Sequence, residues 1–413
     1  TSLALANKIK ILLGFYQIAT KVSVVYEVML PTEVQKVLDD LSGLSSFGMQ
    51  GISTTSLECM GLGGYRTRLV FWIIFPVVLV LLVVLVVVAM AALKNKKTAK
   101  GVVSTKKGSD DETHAGRLDL DGDDEKEAPP GILMQILPPV LKILFLVYPL
   151  VTKTAFDGFP CYRFSNGRGW LRADVSISCD SADYVSLTST AWITIMLYPL
   201  GIWLFCFFLL YKASSAILAG KQTALTRATA FLTKEYDAEN FYWELLEMAR
   251  KFILVGVFVT FQPGSILQIS VATIVCATYL MVQLQAAPYK NQSDDYMAAA
   301  CSFSLLMVFF CSILYKLDYL TTDPGVQLAM TGEQKDDYIV SAVLLSAILV
   351  LSVVGSLIFA AVLVAVQIAV EIKNDAKLRR IKYASNNKWV ECKELFDSQA
   401  FHLFLSHAWP AAQ

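Results

Sequence analysis

Four ionisable side chains within residues 241–251 offer the clearest chemistry in the sequence: Glu244, Glu247, Arg250 and Lys251. On an α-helix Glu244, Glu247 and Lys251 share one face, and the spacing of Glu247 and Lys251 favours an ion pair. Two interpretations are open. The four residues could form an ionic cluster at the cytosolic mouth of a helical bundle, which binds a cation or couples helix motions. They could equally be an interfacial amphipathic turn whose charged ends extend to water.

A second pattern lies near the C-terminus, where small and polar residues recur at helical spacing within a long apolar run. Such a stripe could line a water-filled pathway, or it could allow close packing between helices in the membrane. The sequence leaves both alternatives open. The residues that would line a pore are Ser341, Ser352, Gly355, Ser356 and Gln367.

The chain contains eight cysteines. Cys161 and Cys179 share a segment that the predicted topology places outside the cytosol, where disulfides persist, so we expect them to be bonded to each other. The cysteines within the apolar runs have the character of packing residues. With three histidines and no Cys-x-x-Cys motif, the sequence predicts no metal site and no cofactor. It shows neither a phosphate-binding glycine loop nor a nucleophile elbow, so we expect no enzymatic activity from these residues.

The elements that must position these residues are membrane helices. Apolar residues make up 55% of the 413 and charged residues only 17%, well below a soluble domain. The zero net charge predicts no nucleic-acid partner. Runs of roughly 20 apolar residues can cross a bilayer, and we expect an all-α integral membrane protein with about seven transmembrane helices. The predicted spans are residues 69–93, 132–151, 188–211, 241–261, 265–285, 296–314 and 338–372, of which 241–261 is the weakest.

Basic residues just after the first span mark a cytosolic side. We therefore expect an extracytosolic N-terminus and a cytosolic C-terminus in a multi-pass protein of the plasma membrane or an endomembrane. The predicted divisions are an extracytosolic amphipathic helical segment 1–66, a first transmembrane helix 67–93, a disordered cytosolic linker 94–130, a six-helix transmembrane domain 131–372 and a cytosolic tail 373–413. One departure from the charge rule is that the 152–187 loop, predicted to lie outside, also carries basic residues.

Several motifs between residues 130 and 320 resemble one family when taken as a set. They are residues 145–149 (Phe-Leu-Val-Tyr-Pro), Cys161, residues 171–174 (Leu-Arg-Ala-Asp), Cys179, residues 198–201 (Tyr-Pro-Leu-Gly), residues 242–244 (Tyr-Trp-Glu), residues 247–251 (Glu-Met-Ala-Arg-Lys), Gln268 and Pro288-Tyr289. The set is similar to the transient-receptor-potential-like membrane region of large protist and algal surface proteins. That resemblance implies that the last six helices form a channel unit, which generally assembles as a homo-tetramer. Residues 315–337 show no selectivity-filter signature, and span 265–285 has no positive charges, which argues against a voltage sensor.

Residues 401–407 (Phe-His-Leu-Phe-Leu-Ser-His) resemble the first strand of a Toll/interleukin-receptor-type domain, whose enzymatic residues would lie beyond Gln413. Two functions follow as expectations. The first is a non-selective cation channel in the lipid bilayer, coupled to cytosolic signalling partners through the tail. The second is a seven-helix surface receptor without a pore, signalling through the same tail. A membrane-anchored enzyme is a third class, with its chemistry in the downstream domain.

Overall fold

The computed structural model describes residues 2–45, 63–105, 132–165, 167–331 and 342–378, and it is almost entirely helical. Six of its helical stretches are long and apolar enough to cross a membrane: 27 residues from Tyr65 to Ala91, then Ile132–Phe156, Ala182–Leu218, Ile266–Ala286, Gln292–Thr321 and Val343–Val370. The protein is therefore a multi-pass helical membrane protein. Of the seven predicted spans, the structure supports these six by length and composition.

The long helices coincide with the apolar runs of the sequence because each run can bury its backbone polar groups only as a helix. Their ranges are α4 (Tyr65–Thr105), α5 (Ile132–Phe156), α6 (Ala182–Ile195), α7 (Gly201–Leu218), α12 (Ile266–Ala286), α13 (Gln292–Thr321) and α15 (Ala342–Leu378). A π-helical turn, Met196–Leu200, joins α6 to α7 around Pro199, which cannot donate to the helical ladder. Ser181 and Ser265 cap the helices that follow them by accepting backbone hydrogen bonds.

Helix α4 corrects one predicted boundary. The linker was expected to begin at residue 94, but the helix continues through the lysine-rich stretch to Thr105. Lysine is a good helix former, so a charged composition does not by itself end a helix. The rest of the predicted linker lies outside the described residues. So do Ser341, the predicted tail from residue 379 with its Toll/interleukin-receptor-like segment, and residues 332–337 of the 315–337 loop.

The weakest predicted span forms one continuous helical stretch in three parts. It consists of α10 (Trp243–Lys251), a π-helical segment (Phe252–Val257) and α11 (Phe258–Thr260). Its apolar part packs against α5, where Gly256 lies directly on Thr152 and Phe156. It does not belong to the six apolar spans because α10 is strongly charged.

The N-terminal residues change the expected layout most. Helix α1 (Ser2–Ala19) is not part of a separate segment outside the membrane helices, because it packs along α13 and α15. Its apolar residues belong to the same buried cluster as those of α13. Two shorter helices follow it, α2 (Val22–Val25) and α3 (Thr32–Ser45). The prediction of an extracytosolic segment 1–66 missed this packing because the two charges of α1, Lys8 and Lys10, are typical of a helix that faces water.

The bundle has two ends with different contents. At one end a two-stranded sheet, β1 (Cys161–Arg163) and β2 (Gly169–Leu171), carries the Cys161–Cys179 bond, and this end is called the disulfide end. At the other end short helices α8 (Ala224–Ala228) and α9 (Ala230–Thr233) precede α10, and this end is called the cluster end. Helix α13 starts at the cluster end, and a sixth short helix, α14 (Pro324–Ala329), follows it at the disulfide end.

Candidate functional site

The predicted ionic residues of α10 lie inside the protein at the cluster end. Glu244 is buried, and its Oε2 lies 2.6 Å from Nζ of Lys10 on α1. The hydroxyl of Tyr236 also donates to Glu244, at 3.0 Å. Lys10 makes a second ion pair, 3.1 Å, with Glu235, which lies in the segment between α9 and α10. Lys10 is thus paired with two carboxylates, and these two ion pairs hold α1 to the α9–α10 region.

Arg250 forms the second part of the cluster. Its Nη2 lies 2.7 Å from Glu247 one turn earlier, and its Nη1 donates to the hydroxyl of Ser302 on α13 at 3.1 Å. The guanidinium also stacks over the ring of Tyr279 at 4.0 Å, and the Tyr279 hydroxyl donates to Glu247. The expected ion pair between Glu247 and Lys251 does not form. Instead, Glu247 accepts hydrogen bonds from Arg250 of α10 and from Tyr279 of α12.

Lys251 points a different way from its predicted partner. Its Nζ lies over the ring of Phe145 on α5, 4.3 Å from the centroid. Gly14 of α1 leaves room for it, since a Cβ added there would come within 3.4 Å of the ammonium nitrogen. Within the described chain no carboxylate lies within 4.0 Å of this nitrogen. Lys251 is therefore a buried cation held by an aromatic face and by the field of the neighbouring pairs.

A further buried pair closes the cluster toward the first turn of α13. Lys8 of α1 is paired with Asp294, and both side chains are almost fully buried. The Asn7 amide donates to the same carboxylate at 3.3 Å. The resulting set, named the ionic cluster, balances four cations against four carboxylates: Lys8, Lys10, Arg250 and Lys251 against Glu235, Glu244, Glu247 and Asp294.

The ionic cluster is nearly dry. The space among its side chains is about 30 Å³, enough for about one water molecule. Burial raises the pKa of Glu235 above its usual value, although Lys10 acts in the opposite direction. Of the two interpretations of residues 241–251, the geometry matches a buried cluster that joins helices. Snorkelling ends would leave the charged groups exposed, and Glu244, Arg250 and Lys251 are buried.

The arrangement is suited to holding helices in register. Breaking one buried ion pair leaves an unpaired charge at a cost of about 3–5 kcal/mol, so a shift of α1 that separates it from α10 or α13 carries this cost. Nothing in the cluster resembles a nucleophile with its base. Among the described residues no three His, Cys, Asp or Glu side chains are grouped to hold a metal ion.

The polar stripe of α15 lies against its neighbours. Ser356 is buried and shares a hydrogen bond of 3.2 Å with the Tyr16 hydroxyl of α1, which also donates to the carbonyl of Val353. Ser352 is half-buried and donates to the carbonyl of Ile348 within its own helix. A Cβ added at Gly355 would touch nothing within 4 Å. Gln367 is half-buried on the same side as Ser356. A pore lining remains a prediction for these residues.

The disulfide prediction is confirmed, because Cys161 and Cys179 are bonded. The bond closes the loop between β1 and the start of α6, and a Cβ added at Gly169 would lie 3.3 Å from the Cβ of Cys179. The described cysteines within the spans are buried and free, as expected for packing residues: Cys206, Cys276, Cys301 and Cys311.

Sequence reasoning missed the partners that α1 contributes, Lys8 and Lys10. The available signal was a pair of lysines in an otherwise apolar helix, which must find carboxylates if that helix is buried. Glu235 and Asp294 were the candidates, but they stand more than 220 residues away along the chain.

Comparison with known proteins gives one relative. Over 172 residues the chain is 26% identical to the cysteine repeat modular protein A of Toxoplasma gondii. The match covers 38% of this chain and 5% of that protein, so the chain corresponds to a small part of the relative's length. No protein-family model matches, and no solved structure matches.

Proposed function

We propose that this chain is the membrane unit of a receptor without a pore, which couples the disulfide end of the bundle to the ionic cluster. The observation that carries the proposal is the position of the N-terminal segment formed by α1, α2 and the turn that follows α2. The first half of α1 holds the ionic cluster through Lys8 and Lys10, and its last turn packs on the polar stripe of α15 through Tyr16. The turn after α2 pairs Glu27 with Arg172 of the disulfide loop. This continuous segment therefore contacts both ends.

The surface of α15 supports a receptor over a channel. The face that carries Ser356 is covered by α1, whereas exposed side chains on the other face are large and apolar: Val343, Leu351, Ile358 and Val362. An apolar face suits lipid or another helix and offers no ligands for a hydrated ion. The persistence of disulfides in oxidising compartments supports placing the disulfide end outside the cytosol.

A substitution at one end should therefore change backbone hydrogen exchange at the other end. Replacing Arg172 with Gln releases Glu27 in the turn after α2. In the chain embedded in lipid nanodiscs, we expect faster backbone hydrogen exchange around Glu235 and Glu244 as well as around residue 172. Arg163→Gln, which removes an exposed charge from β1, is the matched control and should leave the cluster end unchanged. Faster exchange confined to the disulfide end would show that α1 does not couple the ends.

A cation channel is the second candidate, and one observation favours it. Helix α15 lies at the edge of the bundle, and the short helix α14 sits between the last two spans, where a six-helix channel has its pore loop. In that arrangement several copies, most simply four, would surround a shared axis. The tail would connect either function to cytosolic signalling partners.

A further inference from the structure

A large cavity opens at the disulfide end, distant from the ionic cluster. It has a volume of about 490 Å³, within the range of small-molecule sites. Its walls come from α2 and its flanking turns, the start of α4, the end of α5, the disulfide loop, and the segment from α11 to Pro263. Residues from five separate parts of the chain therefore meet there.

Cations outnumber carboxylates in the cavity wall. Lys21, Arg68, Lys153 and Arg172 line it, with Asp157 and Glu27 as the only acidic side chains among the described lining residues. Lys153 is paired with Asp157 at 2.6 Å, and Arg172 is paired with Glu27. These two pairs use both carboxylates, which leaves an excess of two positive charges.

The two remaining cations, Lys21 and Arg68, have no carboxylate within 4.0 Å in the described chain. Arg172 adds an unused donor, since its Nε is buried and has no hydrogen-bond partner among the described residues. Crowding unpaired cations in a partly buried space costs free energy. A bound anion would remove that cost.

These cations also include two of the four basic residues between positions 152 and 187, which the charge rule for membrane loops does not explain. Lys153 in the last turn of α5 and Arg172 of the disulfide loop stand on the side predicted to lie outside the cytosol, where that rule disfavours positive charge. A ligand site gives them a role. Apart from Thr154 and Tyr162, the rest of the wall is apolar and includes Trp72, Leu150 and Val259.

We propose that this cavity binds a phosphate-type oxyanion, held by Lys21, Arg68 and the free Nε–H of Arg172. Guanidinium groups suit such a group because their planar donors match its oxygens. The oxyanion could belong to a free phosphate compound or to the headgroup of an anionic phospholipid lying on the apolar wall. The proposal supplies a ligand class for the proposed receptor, but binding can be measured whether or not a signal follows.

The test uses the full chain in phosphatidylcholine nanodiscs and measures the midpoint of thermal unfolding. Inorganic phosphate is titrated in one arm, and short-chain phosphatidic acid in the other, against phosphatidylcholine of the same chain length. We expect stabilisation in at least one arm, and the arm that responds identifies the source. In Arg68→Gln the affinity should fall about tenfold, as for loss of a hydrogen bond to a charged group.

Arg66→Gln is the matched control, because it removes the same charge from an exposed position two residues away. It should bind as tightly as the unaltered chain. The proposal is overturned if neither probe stabilises the protein, or if both variants lose affinity equally. Phosphate binding by the unaltered chain, together with exchange changes confined to the disulfide end in Arg172→Gln, would instead count against the receptor function alone.

Discussion

Lys10 and Glu244 form the contact on which the cluster end depends. Because both are buried, Glu244→Gln leaves Lys10 with only Glu235 as a charged partner. We expect the variant to lose about 3 kcal/mol of unfolding free energy, the lower part of the range for breaking a buried pair. Denaturant unfolding in detergent micelles measures the change. The matched variant Glu239→Gln alters an exposed residue nearby and should be nearly neutral; equal losses in the two variants would mean that the pair contributes no stability.

Lys21 gives the oxyanion cavity a dependence on pH. Burial, and then the proximity of Lys153, lowers its pKa to about 8. It also faces Asp157, just after α5, and Asp39 of α3, and the cavity adds the charged groups Glu27, Arg68 and Arg172. Because the folded pKa is below the ordinary value of 10.5, charged Lys21 opposes folding, and stability without a ligand should rise as pH increases from about 8 toward 10.5.

Anion binding should change in the opposite sense. As pH rises through about 8, Lys21 loses its charge, so sulfate, whose own charge stays constant, should bind more weakly at about pH 9 than at about pH 7. Calorimetric titration at the two pH values measures this difference. In Lys21→Gln the affinity should be lower and nearly independent of pH over the same interval. A pH dependence that survives this substitution would assign the titration to another group.

Residue-scale predictions from sequence succeeded where chemistry is local. Cys161 and Cys179 share one short loop, and their bond was predictable. Helical spacing also placed Glu244 and Glu247 on a common face. Spacing alone then selected Lys251 as the partner of Glu247, whereas Arg250 of the same helix and Tyr279 of α12 donate to that carboxylate. Tyr279 comes from another helix, as does Ser302, which binds Arg250, and such partners cannot be read from an i,i+4 interval.

At the scale of elements, Gly256 fixes how closely the α10–α11 stretch approaches α5. A Cβ at this position would lie 2.8 Å from side-chain atoms of Phe156 and Thr152. We expect Gly256→Ala to cost about 1–3 kcal/mol, because the two helices must separate. Gly355→Ala is the control in another helix, where added Cβ meets nothing and alanine improves helix propensity. A lower midpoint of thermal unfolding for Gly355→Ala than for Gly256→Ala would contradict this packing.

The elements themselves differ in how well the sequence predicts them. Long apolar runs identified α4, α5, α12, α13 and α15 because the bilayer requires their length and composition. Helix α1 was predicted to lie in a separate segment, whereas it packs inside the bundle. The prediction missed this because Lys8 and Lys10 look like surface charges in the sequence, and only the structure shows that Asp294 and Glu244 neutralise them. The four charged residues of α10 likewise weakened the prediction of a helix at this position, although that helix is buried in the bundle.

At the scale of the whole molecule, the account requires the two ends to face opposite sides of the membrane. Gln292 and Thr322 are exposed positions at the start and the end of α13. We expect Thr322→Cys to react with a membrane-impermeant thiol reagent in intact cells. Gln292→Cys should react only after permeabilisation. Equal labelling of both in intact cells would show that α13 does not cross the membrane.

The central claim is that the polar stripe of α15 packs against α1 and does not line a path for ions. The most direct test is to reconstitute the chain with Ser352→Cys or Ser356→Cys in planar bilayers and record current while adding a water-soluble thiol reagent. Gln292→Cys serves as the reactive control, and modification is read by mass spectrometry. The receptor account predicts no conductance and an unmodified thiol at both positions, most firmly at 356, where Tyr16 covers the side chain. A steady current that changes when either cysteine is modified would contradict the account and establish the channel.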